Sequence, residues 1–355
     1  MPRLARGEFI SPDEIQIIHA VQRCVRRAYL CGDDPLTGQS FEHRRDWIRE
    51  RQEFLASVFA IDVLTYSVMS NHLHVVLRSR PDVVKTWSDE EVARRWLRLF
   101  PSRRDDGGSP AEPTDEELLA ITGNADVLAE RRKRLSDVSW WMRCTAEVIA
   151  RRANKEDKCT GRFWEGRYKA QILLDEASLL ACAAYVDLNP IRAALAKTPE
   201  ESDFTGAKDR LDDLADRENK SSRDTHDWER SRRRTNSGWM SPIEINERED
   251  AIGADVCQTG RRASRKGFLS CSLADYLSLL DWTGRQIRRD KRGAIPGHLA
   301  PILERIGLGG DAWCDLVTKF GQTFKRAAGS EAALQTEAER RGQGWLQAPG
   351  NPLSV

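Results

Sequence analysis

No run of apolar residues in the chain approaches the roughly 18 that a membrane-spanning helix needs. The opening stretch MPRLARGEFISPDEIQ also lacks the apolar segment of a secretory leader. The protein is therefore expected in the cytoplasm, away from membranes. Its eight cysteines include no C-x-x-C pair, which argues against a zinc ribbon or a dense disulfide framework and for reduced, mostly buried thiols. No G-x-x-x-x-G-K-[ST] loop occurs, so nothing points to nucleotide hydrolysis. Net charge is nearly absent too, +1 from 56 basic and 55 acidic residues. Any phosphate binding must come from local clusters such as RCVRR, ARRANK, RSRRR, GRRASRK and RQIRRDKR.

What is present is an alternation of element types. IHAVQRCVRRAYLC, residues 18–31, interleaves apolar and polar residues as a half-exposed strand does. TGQSFEHRRDWIRERQEFLASVF follows with apolar residues at helical spacing behind a Ser/Thr cap. AIDVLTYSVM and HLHVVLRS, split by Ser70 and Asn71, predict an antiparallel hairpin. Residues 81–135, broken by SRRDDGGSPAEPTDEE, read as an insertion. A long helical pattern over about 124–154 leads into GRFWEGRYKAQILL, of strand character, and then DEASLLACAAYVDLNPIRAAL, a helix opened by Asp175 and Glu176 and broken near Pro190. This order predicts an α+β fold over residues 1–200, an antiparallel sheet with helices on one face. Beyond it, 201–265 reads as a charged linker, 266–330 as a small helical domain and 331–355 as a tail.

Two pairs of residues carry chemistry. On a strand His72 and His74 project to one side while Leu73 projects to the other. The two imidazoles could grip one metal ion or simply be hydrogen-bonded strand residues. About a hundred residues later Tyr185 and Asn189, four apart on a helix, share a face; each also suits plain packing. Taken together the four groups supply three ligands and a nucleophile, the needs of a metal-assisted phosphodiester transfer. Imidazoles plus an amide oxygen suit Mg2+ or Mn2+ better than a closed zinc site.

The stretch SNHLHVVL resembles the HUH motif, histidine–hydrophobic–histidine, of single-tyrosine nucleases. GRFWEGRYKAQILLDEASLLACAAYVDLNPIRAAL resembles the tyrosine motif of the REP-associated tyrosine transposases, and the similarity covers about 17–80 and 136–200. The resemblance implies a ferredoxin-like, RRM-like core that cuts single-stranded DNA beside hairpins of palindromic repeats through a 5′-phosphotyrosine. By position it implies that His72, His74 and Asn189 are metal ligands and Tyr185 the attacking group. A homodimer would bring two such tyrosines to one excision cycle.

Strand-holding candidates are Arg162, Arg167 and Lys169, interleaved with Phe163, Trp164 and Tyr168 as where phosphates are neutralised while bases stack. Arg23, Arg26 and Arg27 of the first strand join them. Two further readings stand beside the nickase: a non-catalytic, domesticated binder of structured nucleic acid, and a metal-dependent hydrolase in which Tyr185 has no part.

Overall fold

The computed structural model describes residues 10–25, 30–34, 37–108, 110–221, 236–246, 253–287, 295–348 and 350–353. Four strands form an antiparallel sheet in the order β2-β3-β1-β4: β1 (Ile17–Arg23), β2 (Ile61–Val68), β3 (His72–Ser79) and β4 (Lys169–Leu173). With α1 (Arg44–Ala56) between β1 and β2, and α6 (Val138–Glu156) between β3 and β4, this is the expected ferredoxin-like α+β arrangement. The hairpin turns at Ser70 and Asn71 as expected.

Alternation along the strands sorts their side chains. Ile18, Ala20, Leu73, Val75, Leu77 and Ile172 enter one apolar cluster with residues of α1 and α6. A bulge between Val63 and Thr65 keeps both halves of β2 in that cluster, so Ile61, Val63, Tyr66 and Val68 all face it while Leu64 turns to the other side. The 81–135 insertion folds onto the same core as α2 (Pro81–Thr86), α3 (Asp89–Leu99), α4 (Asp115–Thr122) and α5 (Ala125–Arg134). The single helix expected over 124–154 is broken after Arg134 and restarts where the Asp137 carboxylate accepts from Ser139 N.

The opposite face is roofed by α7 (Glu176–Asp187), α8 (Asn189–Arg192), α9 (Gly206–Ser221), α10 (Leu273–Ile287), α11 (Ala300–Arg305) and α12 (Gly310–Thr323). After α12 the chain adds β5 (Ala327–Ala328), parallel to β4, and ends in α13 (Glu331–Arg340) within the expected tail. Residues 266–330 thus share an apolar cluster with α7 and lend the sheet a strand. Nor is 201–265 a linker throughout, because among its described residues Asp209, Arg210 and Asp213 are buried and hydrogen-bonded. Asp209 accepts from Tyr66 and Arg49, and Asp62 binds Arg78, Arg80 and Ser264. Gly206 admits this contact: a Cβ there would lie 2.2 Å from Thr65 Oγ1. Seven of the eight cysteines are buried and none is in a disulfide, in line with the thiol reading. Among the described residues no helix is long and apolar enough to cross a membrane.

Candidate active site

Pairing of β1 with β3 sets Val21 opposite His74 and Arg23 opposite His72; pairing with β4 sets His19 opposite Gln171 and Val21 opposite Lys169. Residues opposite one another in an antiparallel ladder share a face. The strand residues that avoid the apolar cluster therefore gather three histidines, a glutamine, an arginine and a lysine on one patch of sheet.

Two of the imidazoles, His19 and His74, form a chain of hydrogen bonds with Gln171, and the bonds made by each ring determine where its proton sits. His19 Nδ1 lies 3.4 Å from Gln171 Oε1, which can only accept, so Nδ1 carries the proton. His19 Nε2 is then an acceptor and receives the proton of His74 Nδ1 at 2.9 Å. His72 Nδ1 similarly donates to Asn71 Oδ1 at 2.5 Å. Both His72 and His74 are left with a bare Nε2 lone pair, the state a metal ligand needs, held by a partner on the other ring nitrogen. Their environment keeps them neutral. Burial pushes His19 down to about 4 against a smaller opposing effect of Gln171. Burial, helped by the Arg23 charge, brings His72 to about 4, and burial followed by His19, His72 and Arg192 pushes His74 well below the usual imidazole range.

Tyr185 stands over this patch. The Asp175 side chain accepts from Ser178 N while Ser178 Oγ binds Asp175 N, a capping box that starts α7. At its far end Asp187 is buried and receives Tyr276 Oη and Thr65 Oγ1, both at 2.6 Å. Fixed at both ends, α7 lays the half-buried Tyr185 ring edge-on to His19 and His74, centroids 5.9 and 5.7 Å away. From α12 Phe320 leans on the ring at 5.7 Å, and Gly321 leaves room for the hydroxyl, since a Cβ there would be 3.1 Å from it. The result is an open cleft of about 590 Å3 lined by His19, His72, His74 and Tyr185 and edged by Arg23, Arg167, Lys169 and Lys325, with Glu165 as its one acid. Among the described residues none of those four cations has a salt bridge.

His72, His74 and Tyr185, over a hundred positions apart, thus meet, as do Arg23, Arg167 and Lys169. Arg162 is exposed and does not line the cleft, and Asn189 is buried outside its lining, with Nδ2 unpartnered. Arg26, Arg27 and the RSRRR run, 230–234, lie outside the described residues. Phe163, Trp164 and Tyr168 are all buried, so packing rather than base stacking occupies them; Trp164 Nε1 donates to Ala146 O and Tyr168 bonds Ser139. Lys169 opens β4, but 161–168 is irregular apart from one bridge at Trp164. Sequence reasoning finds no partner pattern for His19; its signal is the shared parity of 17, 19, 21 and 23, which has meaning only once β1 is known to adjoin β3. As to a metal, no group of three or more His, Cys, Asp or Glu among the described residues could hold one. His72 and His74 alone would offer an ion two nitrogen donors, with its remaining donors coming from elsewhere.

Neither the family models nor the curated proteins contain a match to this chain. Among solved structures, one of a REP-associated tyrosine transposase bound to a REP hairpin is similar over 54% of this chain and 75% of that one, at 10% identity and a TM-score of 0.30.

Proposed function

We propose that this protein nicks and rejoins single-stranded DNA flanking hairpins, with Tyr185 as nucleophile and a divalent ion, Mg2+ or Mn2+, held by His72 and His74. The observation that carries this is the Tyr185 ring set within 6 Å of His19 and His74 in a cation-edged cleft. Asn189, four residues beyond Tyr185, is the candidate for a further oxygen donor to the ion. When bound, the ion would draw charge from a non-bridging phosphate oxygen.

The chain's own groups do the rest. Arg23, Arg167, Lys169 and Lys325 neutralise the backbone to either side of the scissile phosphate. The Tyr185 phenolic oxygen bonds to phosphorus as its proton passes to solvent, and the 3′ oxygen departs as a hydroxyl, taking up a proton. The 5′ phosphate stays on the enzyme as a phosphotyrosine diester. Because one ester replaces another, a 3′-hydroxyl of a second strand can reverse the step without ATP. Alignment by the roof of α7 and α12 supplies the proximity this substitution requires.

Tyr185→Phe tests the reading. Incubated with pooled single-stranded hairpin DNA and Mn2+, the wild type should yield a denaturation-resistant adduct and the variant none, with DNA binding within about twofold of wild type. Cleavage that survives in Tyr185→Phe would replace this reading with metal-dependent hydrolysis, and binding without any cleavage by wild type would replace it with a non-catalytic binder.

A further inference from the structure

Arg192 has only part of its donor set engaged. Its guanidinium lies 4.4 Å from the Tyr185 ring centroid, one face over the ring, and Nη2 donates to Thr318 O of α12 at 2.6 Å. Nε is buried with no partner, and among the described residues no carboxylate pairs with the charge. Arg192 is partly exposed, but a desolvated donor of a permanently charged group is costly unless an anion meets it. Asn189, 8% exposed at the start of α8 and four residues beyond Tyr185, has a side-chain Nδ2 that is also without a partner. Asn189 and Arg192 thus each hold an unused donor close in sequence to Tyr185, and Arg192 lies over its ring.

We propose that Arg192, with the Asn189 amide, forms an anion subsite for a phosphate at Tyr185: the fork of Nε and one Nη2 hydrogen takes phosphate oxygens while the other Nη2 hydrogen stays on Thr318 O. Arginine suits the task because its planar donors match two oxygens at once. The anchor makes the subsite depend on α12, so this helix is part of the reacting centre. The inference rests on the nickase reading only in taking the anion to be a DNA phosphodiester; the subsite is otherwise a property of the side chains.

The test uses the full-length protein labelled with 3-fluorotyrosine, titrated with inorganic phosphate in the presence of EDTA and followed by fluorine NMR. Tyr185 is assigned by the resonance missing in Tyr185→Phe. Phosphate should shift that resonance saturably in the wild type, with the midpoint raised roughly tenfold or more in Arg192→Gln and less in Arg192→Lys. A Tyr185 signal that phosphate does not move in the wild type overturns the subsite even if Arg192→Gln fails to fold, and so does an unchanged midpoint in a folded Arg192→Gln. A purely structural role, holding α12 to α7, would leave the midpoint alone. Adduct assays separate the two claims. Arg192-dependent phosphate binding without any DNA adduct leaves the subsite and removes the nickase; an adduct formed by Arg192→Gln at the wild-type rate does the reverse. The expected rate in that variant is lower by about 100-fold.

Discussion

The two faces of the sheet are built from the same strands and could hardly differ more. Toward α1 and α6 the strands send Ile18, Ala20, Leu73, Val75, Leu77 and Ile172, every one nearly or fully buried in an apolar cluster. Toward α7 and α12 the residues between them include His19, His74, Gln171 and Lys169. Along β3 the contrast changes at every residue, His72, Leu73, His74, Val75. One face supplies stability alone. The other packs Leu64, Val76 and Leu173 under the roof helices; around the cleft it also gathers polar side chains, at a cost that hydrogen bonds between neutral rings and the cover of those helices partly offset. The difference teaches that stability and chemistry here are divided by parity rather than by domain.

The sharpest way to break that division is to cut adjacent residues of β3. His72 is partly exposed and bonded only to the neighbouring Asn71, so His72→Ala should lower adduct formation by about 1000-fold or more while costing only ~1 kcal/mol of stability. Leu73 is fully buried in the apolar cluster, and Leu73→Ala should cost about 2–5 kcal/mol while sparing activity per folded molecule. Urea unfolding and quantified adducts read the two quantities separately. Equal loss of stability in both variants would show that the cleft face also holds the fold together.

Acidification should strike the cleft face next. His19 and His72 titrate near 4 when folded against an ordinary value of 6.5. Between those values the unfolded chain binds protons that the folded chain refuses, so stability is fully present above pH 6.5 and falls as the pH drops toward 4. Each ring can account for up to about 3 kcal/mol. Asp209 acts in the opposite sense, since burial raises it to about 6 from 3.8: it favours the folded state as pH falls through 6. Two imidazoles outweigh one carboxylate, so thermal melts at pH 7.5 and 4.5 should show a net acid loss, reduced in His19→Gln. A loss of the same size in His19→Gln would mean that the acid sensitivity originates elsewhere.

How much of this was readable beforehand follows from which interactions are local. The histidine alternation, the Ser70–Asn71 turn and the Asp175 cap are properties of a few adjacent residues, and the structure bears them out. His19 escaped notice because its partners, His74 and Gln171, are 55 and 152 positions away. The charge-rich start of the supposed linker became α9 because Asp209 and Arg210 find buried partners on β2 and its neighbours, and composition counts charges without pairing them. GRFWEGRYKAQILL reads as a strand throughout, yet 161–168 pairs only through a bridge at Trp164 and the strand proper starts at Lys169. β5, at two residues, is too short to carry any pattern.

The smallest expected effect is the most specific to the roof. Gly321 lies in α12, where glycine costs about 1 kcal/mol relative to alanine through lost helix propensity. Gly321→Ala would recover that, but its Cβ would stand 3.1 Å from the Tyr185 oxygen and 3.6 Å from Cζ, closer than such atoms rest comfortably. The ring, already held by Phe320 and Arg192, would have to move by a few tenths of an ångström. A nucleophile displaced from its line of attack loses rate far faster than a core loses stability, so adduct formation should fall by roughly tenfold while the melting temperature stays level or rises. A fall in both together would make Gly321 a packing residue of the kind found on the other face. A fall in rate alone would show α12 setting the position of the phenol, with stability and reactivity pulling against each other at a single Cβ.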